Sequence, residues 1–482
     1  MVAAPLAKRP GKVHDAHVSL TDDLAANPIA AEHYGAKTVA VEPGGVEFIP
    51  DSERHGRPLN LLWTWTSPNL EFATIAVGII GPLFFGLSFW QTVAAIVLGT
   101  GLGSLTHGIL SSWGPSSGLC QMVLSRTAFD PTGNALPAGI NAAVAGIGWF
   151  AVNSISGALA LHALVSGAPK WLCLLVIVVA QLLVAYLGHN LVHVFERIAF
   201  PFLAVVFLVG AAIIFHKAHL GASGHPIPGA FLIETAAAFG YACGWNPYAS
   251  DYTRYLRRDV SPLAVGLFAG LGVFVSCVVL EAAGAAMVSA AGAAANVDPG
   301  VYTGLMPTWI GKLTLLCIAV GAVCANALNI YSGAMSALAL GIRLPVHRAR
   351  AYVAVVFGVC GFVLALFGIK NAGTNYENFL LVIAYWIGPW LGVVLVDRFR
   401  RRGQDVTALA LKSGFHNPRG AIAMAVGMVL SIWLFSNQTE YVGKLVQHNP
   451  HLGDITFLVG FAVAAAVYLG LERLLPEYGA EA

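Results

Sequence analysis

The sequence predicts an all-α polytopic membrane protein, and three observations lead to that fold class. Of the 482 residues, 57% are hydrophobic and only 10% are charged, whereas a soluble domain carries about 25% charged residues. The hydrophobic residues come in blocks of about 20, the length that a helix needs to cross a bilayer. Gly and Pro within the blocks argue against strands, and the ten-residue alternation of an outer-membrane barrel is missing. The composition excludes a disordered chain, and the net charge of +2 excludes a nucleic-acid-binding protein.

The hydrophobic blocks divide the chain into twelve predicted helices between two polar tails. Residues 1–60 are predicted to be a cytosolic N-terminal tail, since they lack the apolar core of a signal peptide. Residues 61–475 form the transmembrane domain, and residues 476–482 form a cytosolic C-terminal tail. The predicted helices, numbered 1 to 12, cover 67–87, 89–110, 136–164, 170–188, 191–215, 230–251, 262–291, 307–341, 350–368, 376–398, 418–436 and 454–473.

The distribution of basic residues supports this count. If both termini are cytoplasmic, all but five of the 26 lysines and arginines fall on the cytoplasmic side; the exceptions are Lys170, Lys217, Lys312, Lys370 and Lys444. This bias follows the positive-inside rule, and an error of one helix would scramble it. We therefore expect a multi-pass protein of the cell (plasma) membrane with both termini in the cytoplasm.

Helices 1 and 6 are predicted to be broken. Helix 1 contains glycines and a proline along its length, and helix 6 has them in its middle; they are Gly78, Gly81, Pro82 and Gly86, and Gly240, Gly244 and Pro247. Transporters built from inverted repeats interrupt corresponding helices where substrate binds, because the freed backbone groups can hold a ligand. Helices 1 and 6 occupy equivalent positions if residues 67–215 and 230–398 are two five-helix repeats. Helices 11 and 12 (418–473) then lie outside the repeats. The alternative is that these residues only permit close helix packing.

Helix 3 carries a tryptophan and an amide on one face. Trp149 and Asn153 are four residues apart, so they lie one above the other on a helix. An indole plate beside a two-way hydrogen-bonding amide suits a flat heterocycle. The alternative is that Trp149 belongs to the aromatic belt at the membrane interface.

Two further helices add polar and aromatic candidates. Tyr241 and Trp245 have the same spacing on helix 6, beside two glycines that would let a ligand approach the backbone. Helix 8 carries Asn326 and Asn329 three residues apart. Because buried amides must be partnered, these two either face a ligand or bridge helices.

Acidic residues are rare inside the predicted helices. Glu281 lies well inside helix 7 without a charged neighbour in sequence, so it is a candidate proton carrier; the alternative is a neutral side chain bonded to a backbone carbonyl. Asp251 ends helix 6, where the helix dipole disfavours an acid, so a cationic partner is expected. Arg254, or else Arg257 and Arg258, could supply it as a gating or structural ion pair. Glu71 and Glu234 begin their helices and are expected to be solvated.

Five segments of the sequence resemble the nucleobase–cation symporter-1 family, in particular its purine–cytosine permease branch. They are GWNPYASDYTRYL (244–256), GIGWFAVNSISG (146–157), NIYSG (329–333), ERHGRP (53–58) and GLSFWQ (86–91). The resemblance runs from about residue 45 to about residue 470. It implies a leucine-transporter-type fold of two inverted five-helix repeats plus two extra helices.

The resemblance also implies where substrate binds, namely between helices 1, 3, 6 and 8 with its ring stacked on Trp149. The helix-6 contacts fall on Gly240, Tyr241, Gly244 and Trp245, those of helix 8 on Asn326 and Asn329, and those of helix 1 on Asn69, Ala73, Thr74 and Gly78.

One departure from the family concerns the coupling ion. Sodium-coupled members carry a Ser-Thr pair immediately before the helix-8 asparagine, where this chain has Cys324 and Ala325. A thiol and a methyl group are poor ligands for a hard cation. The substitution disfavours sodium and leaves the proton as the expected coupling cation, with Glu281 as its carrier.

The predicted function is secondary active import of a nucleobase or related small heterocycle of the cytosine, purine, uracil or allantoin class, by proton symport. The expected partners are this small molecule and the lipid bilayer, with no cofactor, metal, nucleic acid or obligate protein partner. An amino-acid or other small-metabolite carrier on the same fold is the alternative. An intramembrane enzyme would need a His or carboxylate cluster that the predicted helices lack.

Overall fold

The computed structural model describes residues 45–186, 189–341 and 346–479, and these ranges are almost entirely helical. Most of the predicted N-terminal tail and the last three residues of the predicted C-terminal tail lie outside the described residues. In the described part of the chain, two isolated bridges, His416 with Tyr478 and Asn437 with Val442, are the only β-structure. The predicted all-helical class is therefore confirmed.

The α-helices up to the middle of the chain are α1 Asn60–Thr66, α2 Phe72–Phe85, α3 Phe89–Ser111, α4 Gly114–Ser117, α5 Gln121–Leu124, α6 Arg126–Gly133, α7 Ala135–Ala143, α8 Phe150–Leu164, α9 Lys170–Tyr186, α10 His189–Lys217 and α11 Ala230–Cys243. The remaining helices are α12 Ala249–Thr253, α13 Pro262–Ala291, α14 Pro299–Gly304, α15 Thr308–Ala339, α16 Val346–Gly368, α17 Ala372–Arg400, α18 Thr407–Leu411, α19 Arg419–Phe435, α20 Lys444–His448 and α21 Thr456–Gly470.

The chain is a multi-pass membrane protein. Among the described residues, seven helices are long and apolar enough to cross a membrane, or eight if a bent pair counts as one crossing. Two shorter apolar helices, Lys170–Val184 and Arg419–Phe435, fall below that length. A helix lies in every one of the twelve predicted ranges, and twelve membrane crossings stay a prediction.

The first broken span consists of α1, the 3-10 turn Ser67–Asn69 and α2, with a bend of 61° between its two parts. The break lies at Leu70 and Glu71, whose backbones leave the helical region, and not at the glycines and proline that predicted it. Helix α2 continues through Gly78 and Pro82 and ends at Gly86, whose φ of 69° is left-handed. The side chains of the break hold the freed backbone: Asn69 Nδ2 donates to the Trp65 carbonyl (2.7 Å), and Thr74 Oγ1 to the Asn69 carbonyl (2.5 Å).

The second broken span consists of α11, the 3-10 turn Asn246–Tyr248 and α12. Here the break lies where Gly244 and Pro247 predicted it, because proline sits in the first turn of the new segment and cannot continue the preceding helix. The two broken spans, α3 and α13 pack against one another as one group of helices. The helices α17, α19 and α21 form another packed group, and α8 packs along α15.

One end of the helix bundle, which we call the arginine-rich end, is closed by the segment that precedes α1. Arg54 is buried there and donates from Nη1 to the Pro115 carbonyl (2.5 Å) and from Nε to the Ile49 carbonyl (2.9 Å). Burial lowers the pKa of the Arg54 guanidinium, and the Asp51 carboxylate, 3.3 Å away, opposes that shift. These contacts tie residues 49–54 to α4.

Candidate functional site

Trp149 lies at the end of a π-helical segment, Val144–Trp149, between α7 and α8. Such segments are rare and often occur at functional sites. The indole ring makes edge-to-face contacts with Tyr241 (centroids 5.5 Å apart) and with Phe379 of α17 (5.1 Å). Trp149 and Tyr241 are therefore in direct ring contact in this conformation.

The glycines of helix 6 lie against protein atoms. A Cβ atom added at Gly244 would lie 3.0 Å from the Trp149 ring, and one at Gly240 would lie 2.1 Å from the Leu380 carbonyl oxygen. Both glycines allow α11 to pack closely, against Trp149 and against α17. This is the packing role that the sequence left open as the alternative to ligand contact.

The two broken spans are joined by hydrogen bonds between predicted site residues. Nε1 of Trp245 donates to Oδ1 of Asn69 over 2.9 Å. The hydroxyl groups of Thr74 and Tyr241 lie 2.5 Å apart. These helix-1 and helix-6 candidates thus contact one another: Trp245 is hydrogen-bonded to Asn69, and Tyr241 contacts both Thr74 and Trp149.

The predicted amides of helices 3 and 8 form one cluster. Oδ1 of Asn326 accepts hydrogen bonds from Nδ2 of Asn153 (3.0 Å) and from Nδ2 of Asn329 (3.1 Å), and its Nδ2 donates to the Phe150 carbonyl (2.9 Å). Among the described residues, the buried Oδ1 atoms of Asn153 and Asn329 have no hydrogen-bond donor. Asn326 therefore bridges α8 and α15, and its two neighbours each keep one acceptor oxygen without a donor among the described residues.

Glu281 is fully buried, as its position inside helix 7 predicted. Its Oε2 accepts a hydrogen bond from Thr100 Oγ1 (2.8 Å), and its Oε1 has no partner among the described residues. Helix α2 passes so close that a Cβ atom at Gly78 would lie 1.6 Å from the Glu281 carbonyl oxygen. Gly78 thus contacts the backbone of α13.

The expectation that Glu71 and Glu234 are solvated is wrong. Glu71 is 1% exposed and Glu234 is fully buried. The first broken span begins at Asn60 and not at residue 67, which places Glu71 inside it. Glu234 faces α2, where a Cβ at Gly81 would lie 3.1 Å from its carboxyl carbon, and neither of its oxygens has a hydrogen-bond partner among the described residues.

Asp251 and Arg254 lie near the arginine-rich end, and both are buried. Oδ1 of Asp251 accepts from the Gln121 backbone N–H (2.8 Å). Nη2 of Arg254 donates to the Gly45 carbonyl (3.0 Å) and to the Tyr331 hydroxyl (3.2 Å). Arg254 thus helps to attach the segment before α1 to the closed end, and its ion pair with Asp251 stays a prediction.

A cavity of about 390 Å³ opens between α2, α8, α16 and α17. Its walls are mostly apolar, and its lining includes Phe72, Ala73, Gly148, Val152, Ser156, Leu159, Val297, Phe367, Asn375, Tyr376 and Phe379. Leu159, Val297 and Phe367 lie near helix ends opposite the arginine-rich end. These three lining residues place the cavity toward that opposite end of the bundle.

Of the predicted substrate-binding residues, only Ala73 lines this cavity. Trp149 and Asn153 lie one residue from the lining residues Gly148 and Val152. Phe379, Ser156 and Tyr376 line the cavity but were not predicted from the sequence. The run of polar side chains at the start of helix 10, residues 375–378, could have indicated that this helix end lines a cavity. Tyr376 donates from its hydroxyl to the Ala73 carbonyl (2.9 Å), next to the first break.

Comparisons with known proteins identify related permeases. A family model described as permease for cytosine/purines, uracil, thiamine, allantoin matches residues 48–460. The chain is similar to purine-cytosine permease fcyB of Emericella nidulans, with 28% identity over 470 residues that cover 91% of this chain and 89% of that protein. It is also similar to purine-cytosine permease FCY2 of Saccharomyces cerevisiae, with 27% identity over 503 residues that cover 95% and 91%.

A solved structure shares the fold. Mhp1, a nucleobase-cation-symport-1 family transporter in a closed conformation with bromovinylhydantoin bound, superimposes with a TM-score of 0.69 over 91% of this chain and 97% of that chain, at 18% identity. At this identity the likeness shows the fold, and the site is compared through the residues described above.

Proposed function

The chain belongs to the family of permeases for cytosine/purines, uracil, thiamine and allantoin, and from that premise we propose that it imports a nucleobase or related small heterocycle by proton symport. It is a permease and not an enzyme. The proposal includes twelve helices arranged as two inverted five-helix repeats, 67–215 and 230–398, plus two, within a transmembrane domain of residues 61–475. It also includes a plasma-membrane location with cytoplasmic termini, so that the arginine-rich end faces the cytoplasm.

The observation that carries the proposal is the cavity between the first broken span and α17. Its volume of about 390 Å³ lies in the range of small-molecule sites, which are concave and mostly apolar with a few polar groups. Phe379 lines the cavity and contacts Trp149, so a planar ring that enters it reaches the aromatic cluster directly. We propose that this cavity opens to the outside in the outward-facing form, as import requires.

Binding would then replace the ring contact between Trp149 and Tyr241. A flat ring that stacks on Trp149 would present its edge to the amides of Asn153 and Asn329, whose acceptor oxygens have no donor among the described residues. The two broken spans, α3 and α13 pack together, and we infer that this group rocks against the remaining helices to alternate access.

Two features favour the proton over sodium as the coupling cation. The first feature is the composition of α15 beside the first break. The two elements are in close contact there, since a Cβ at Gly321 would lie 2.3 Å from the Leu70 carbonyl oxygen. Cys324 and Ala325, one turn further, supply a thiol and a methyl group instead of oxygen ligands. Glu281, buried with one unpartnered oxygen, is the proposed carrier of the proton.

The substrate class is tested by counterflow in proteoliposomes that contain the purified full-length chain. Vesicles preloaded with unlabelled cytosine, adenine, uracil, allantoin or an amino-acid mixture receive a trace of the corresponding labelled compound. We expect exchange for at least one heterocycle and none for the amino acids. Exchange of an amino acid with no heterocycle carried would contradict the proposal and favour the alternative carrier.

A further inference from the structure

The first break contains a buried carboxyl group to which the proposed mechanism gives no role. Glu71 separates the turn Ser67–Asn69 from α2, and its side chain is 1% exposed. Its Oε2 accepts a hydrogen bond from Oγ of Ser156 on α8 (3.0 Å), and the backbone N–H groups of Phe72 and Ala73 lie close to the carboxyl group. Its Oε1 makes no hydrogen bond of good geometry in the part of the chain that the structure describes. A buried carboxylate normally has a cation or several donors around it.

The surroundings of Glu71 contain no cation among the described residues. No lysine, arginine or histidine lies within ion-pairing distance or contributes a charge interaction with it. The titratable groups that face it are the phenols of Tyr241 on α11 and Tyr376 on α17, with the thiol of Cys324 on α15 one turn from the contact at Gly321. On that side, a Cβ at Gly321 would lie 2.8 Å from Glu71 Cβ, so the helix leaves no room for a bulky side chain.

Glu71 is connected directly to the substrate cavity. Its hydrogen-bond donor Ser156 lines the cavity, as do Phe72 and Ala73, which follow Glu71 in the chain. Glu281 is differently placed, because its contacts are with Thr100 of α3 and with α2 at Gly78, and neither it nor those two residues line the cavity. A substrate in the cavity can therefore interact with Glu71 through one hydroxyl group, whereas Glu281 lies on another face of α2.

We propose that Glu71 is a proton-binding site of the substrate cavity, at which proton binding and substrate binding are coupled; this inference rests on the proposed proton symport and moves the coupling role from Glu281 to Glu71. In the outward-open form, a hydronium ion in the cavity transfers its proton to Oε1 and leaves a water molecule. The resulting carboxylic acid removes an uncompensated buried charge and gains an O–H donor, while Oε2 keeps the hydrogen bond from Ser156. When the cavity opens to the cytoplasm, water accepts the proton and substrate leaves with it.

The test uses the full-length chain in proteoliposomes with a heterocycle that shows counterflow. Glu71→Gln keeps the size of the side chain and resembles the neutral acid but cannot exchange a proton. We expect this variant to retain counterflow and to bind substrate with an affinity independent of pH, whereas the affinity of the wild type falls as pH rises. An inward proton gradient should concentrate substrate in wild-type vesicles but only equilibrate it in the variant.

The matched control is Glu440→Gln, an exposed acid outside the cavity, which should behave as the wild type. If Glu71→Gln does not fold, Ser156→Ala replaces it. This variant should shift the midpoint of the pH dependence to higher pH, because a hydroxyl donor stabilises an ionised carboxylate most.

The outcomes separate the two proposals. Wild-type vesicles that concentrate substrate with sodium alone, or with neither ion, overturn the proton symport itself. Wild-type vesicles that respond to protons, together with Glu71→Gln vesicles that still concentrate substrate in a proton gradient, overturn only the role of Glu71. Loss of proton-driven accumulation in Glu281→Gln alone, with Glu71→Gln unaffected, would leave Glu281 as the carrier and also contradict this inference.

Discussion

The indole N–H of Trp245 donates to Oδ1 of Asn69 over 2.9 Å, so that the breaks of the two interrupted spans are hydrogen-bonded to each other. Both residues are buried, and Asn69 also holds its own turn through the Trp65 carbonyl. One side-chain pair therefore links the two places where helices are interrupted beside the candidate site.

Trp245→Phe should lower the thermal stability of the purified protein. The substitution keeps an aromatic ring but leaves Oδ1 of Asn69 buried without a donor, which costs about 1–3 kcal/mol. The measurement is the melting temperature in detergent, with Trp171→Phe as the control because Trp171 is 55% exposed on α9. Equal melting temperatures for the two variants would contradict a structural role for this link.

Trp149→Ala should weaken nucleobase binding. Loss of a base-stacking aromatic costs about 1–3 kcal/mol, which corresponds to about a fivefold to 150-fold rise in Kd. Equilibrium binding of the labelled heterocycle to purified protein measures the change, and Trp309→Ala, at a side chain 70% exposed, is the control. An unchanged Kd would mean that substrate does not stack on Trp149.

Asn326→Ala and Asn153→Ala should differ in their effects. Asn326 accepts from both neighbouring amides and donates to the backbone of α8, so its loss leaves several groups unpaired and should lower stability by about 1–3 kcal/mol. Asn153 supplies one donor to this cluster, and we expect its loss to weaken binding more than stability. Melting temperature and Kd measured on both variants check this; a larger stability loss in Asn153→Ala would reverse the assignment.

Gly78→Ala should destabilise the protein strongly. The added methyl group would lie 1.6 Å from the Glu281 carbonyl oxygen, so α2 and α13 must move apart, and overpacking of this kind costs about 1–3 kcal/mol or more. Gly101→Ala on α3 is the matched control, because its methyl group would meet only the Phe274 ring at 3.7 Å. Size-exclusion profiles and melting temperatures report the difference, and a Gly78→Ala variant as stable as Gly101→Ala would show that the two helices are not in close contact.

Hydropathy and spacing predicted the parts of the fold that depend on long apolar stretches. The all-helical class and the burial of Glu281 follow from the long apolar stretches, and the break at Gly244–Pro247 follows from the glycine and proline inside helix 6. The family resemblance, and not hydropathy, placed helices 3 and 8 at one site. The sequence could not locate the first break, because α1 reads as polar. The polar side chains of α1 form hydrogen bonds within the protein: Thr64 donates to the Asn60 carbonyl and Thr66 to the Gly272 carbonyl. A hydropathy scale does not take such hydrogen bonds into account.

The candidate site was predicted less completely than the fold. Trp149 was found from its spacing to Asn153 on helix 3, whereas Asn69 was found only through the family resemblance. Phe379 was missed because a phenylalanine in helix 10 is indistinguishable from an ordinary packing residue until α17 is placed beside α8. Glu71 was misjudged for a related reason: an acid near an apparent helix end looks solvated, and only the position of α1 shows that it is buried.

The central claim, that this permease couples heterocycle uptake to protons, is tested most directly by uptake into proteoliposomes under separately imposed proton and sodium gradients. With internal pH fixed, lowering the external pH should raise the initial rate and concentrate the labelled heterocycle inside, because each carrier binds a proton on the outer side and releases it inside. A sodium gradient at equal pH should leave uptake at equilibration. Accumulation that requires sodium and is indifferent to the pH gradient would contradict the account.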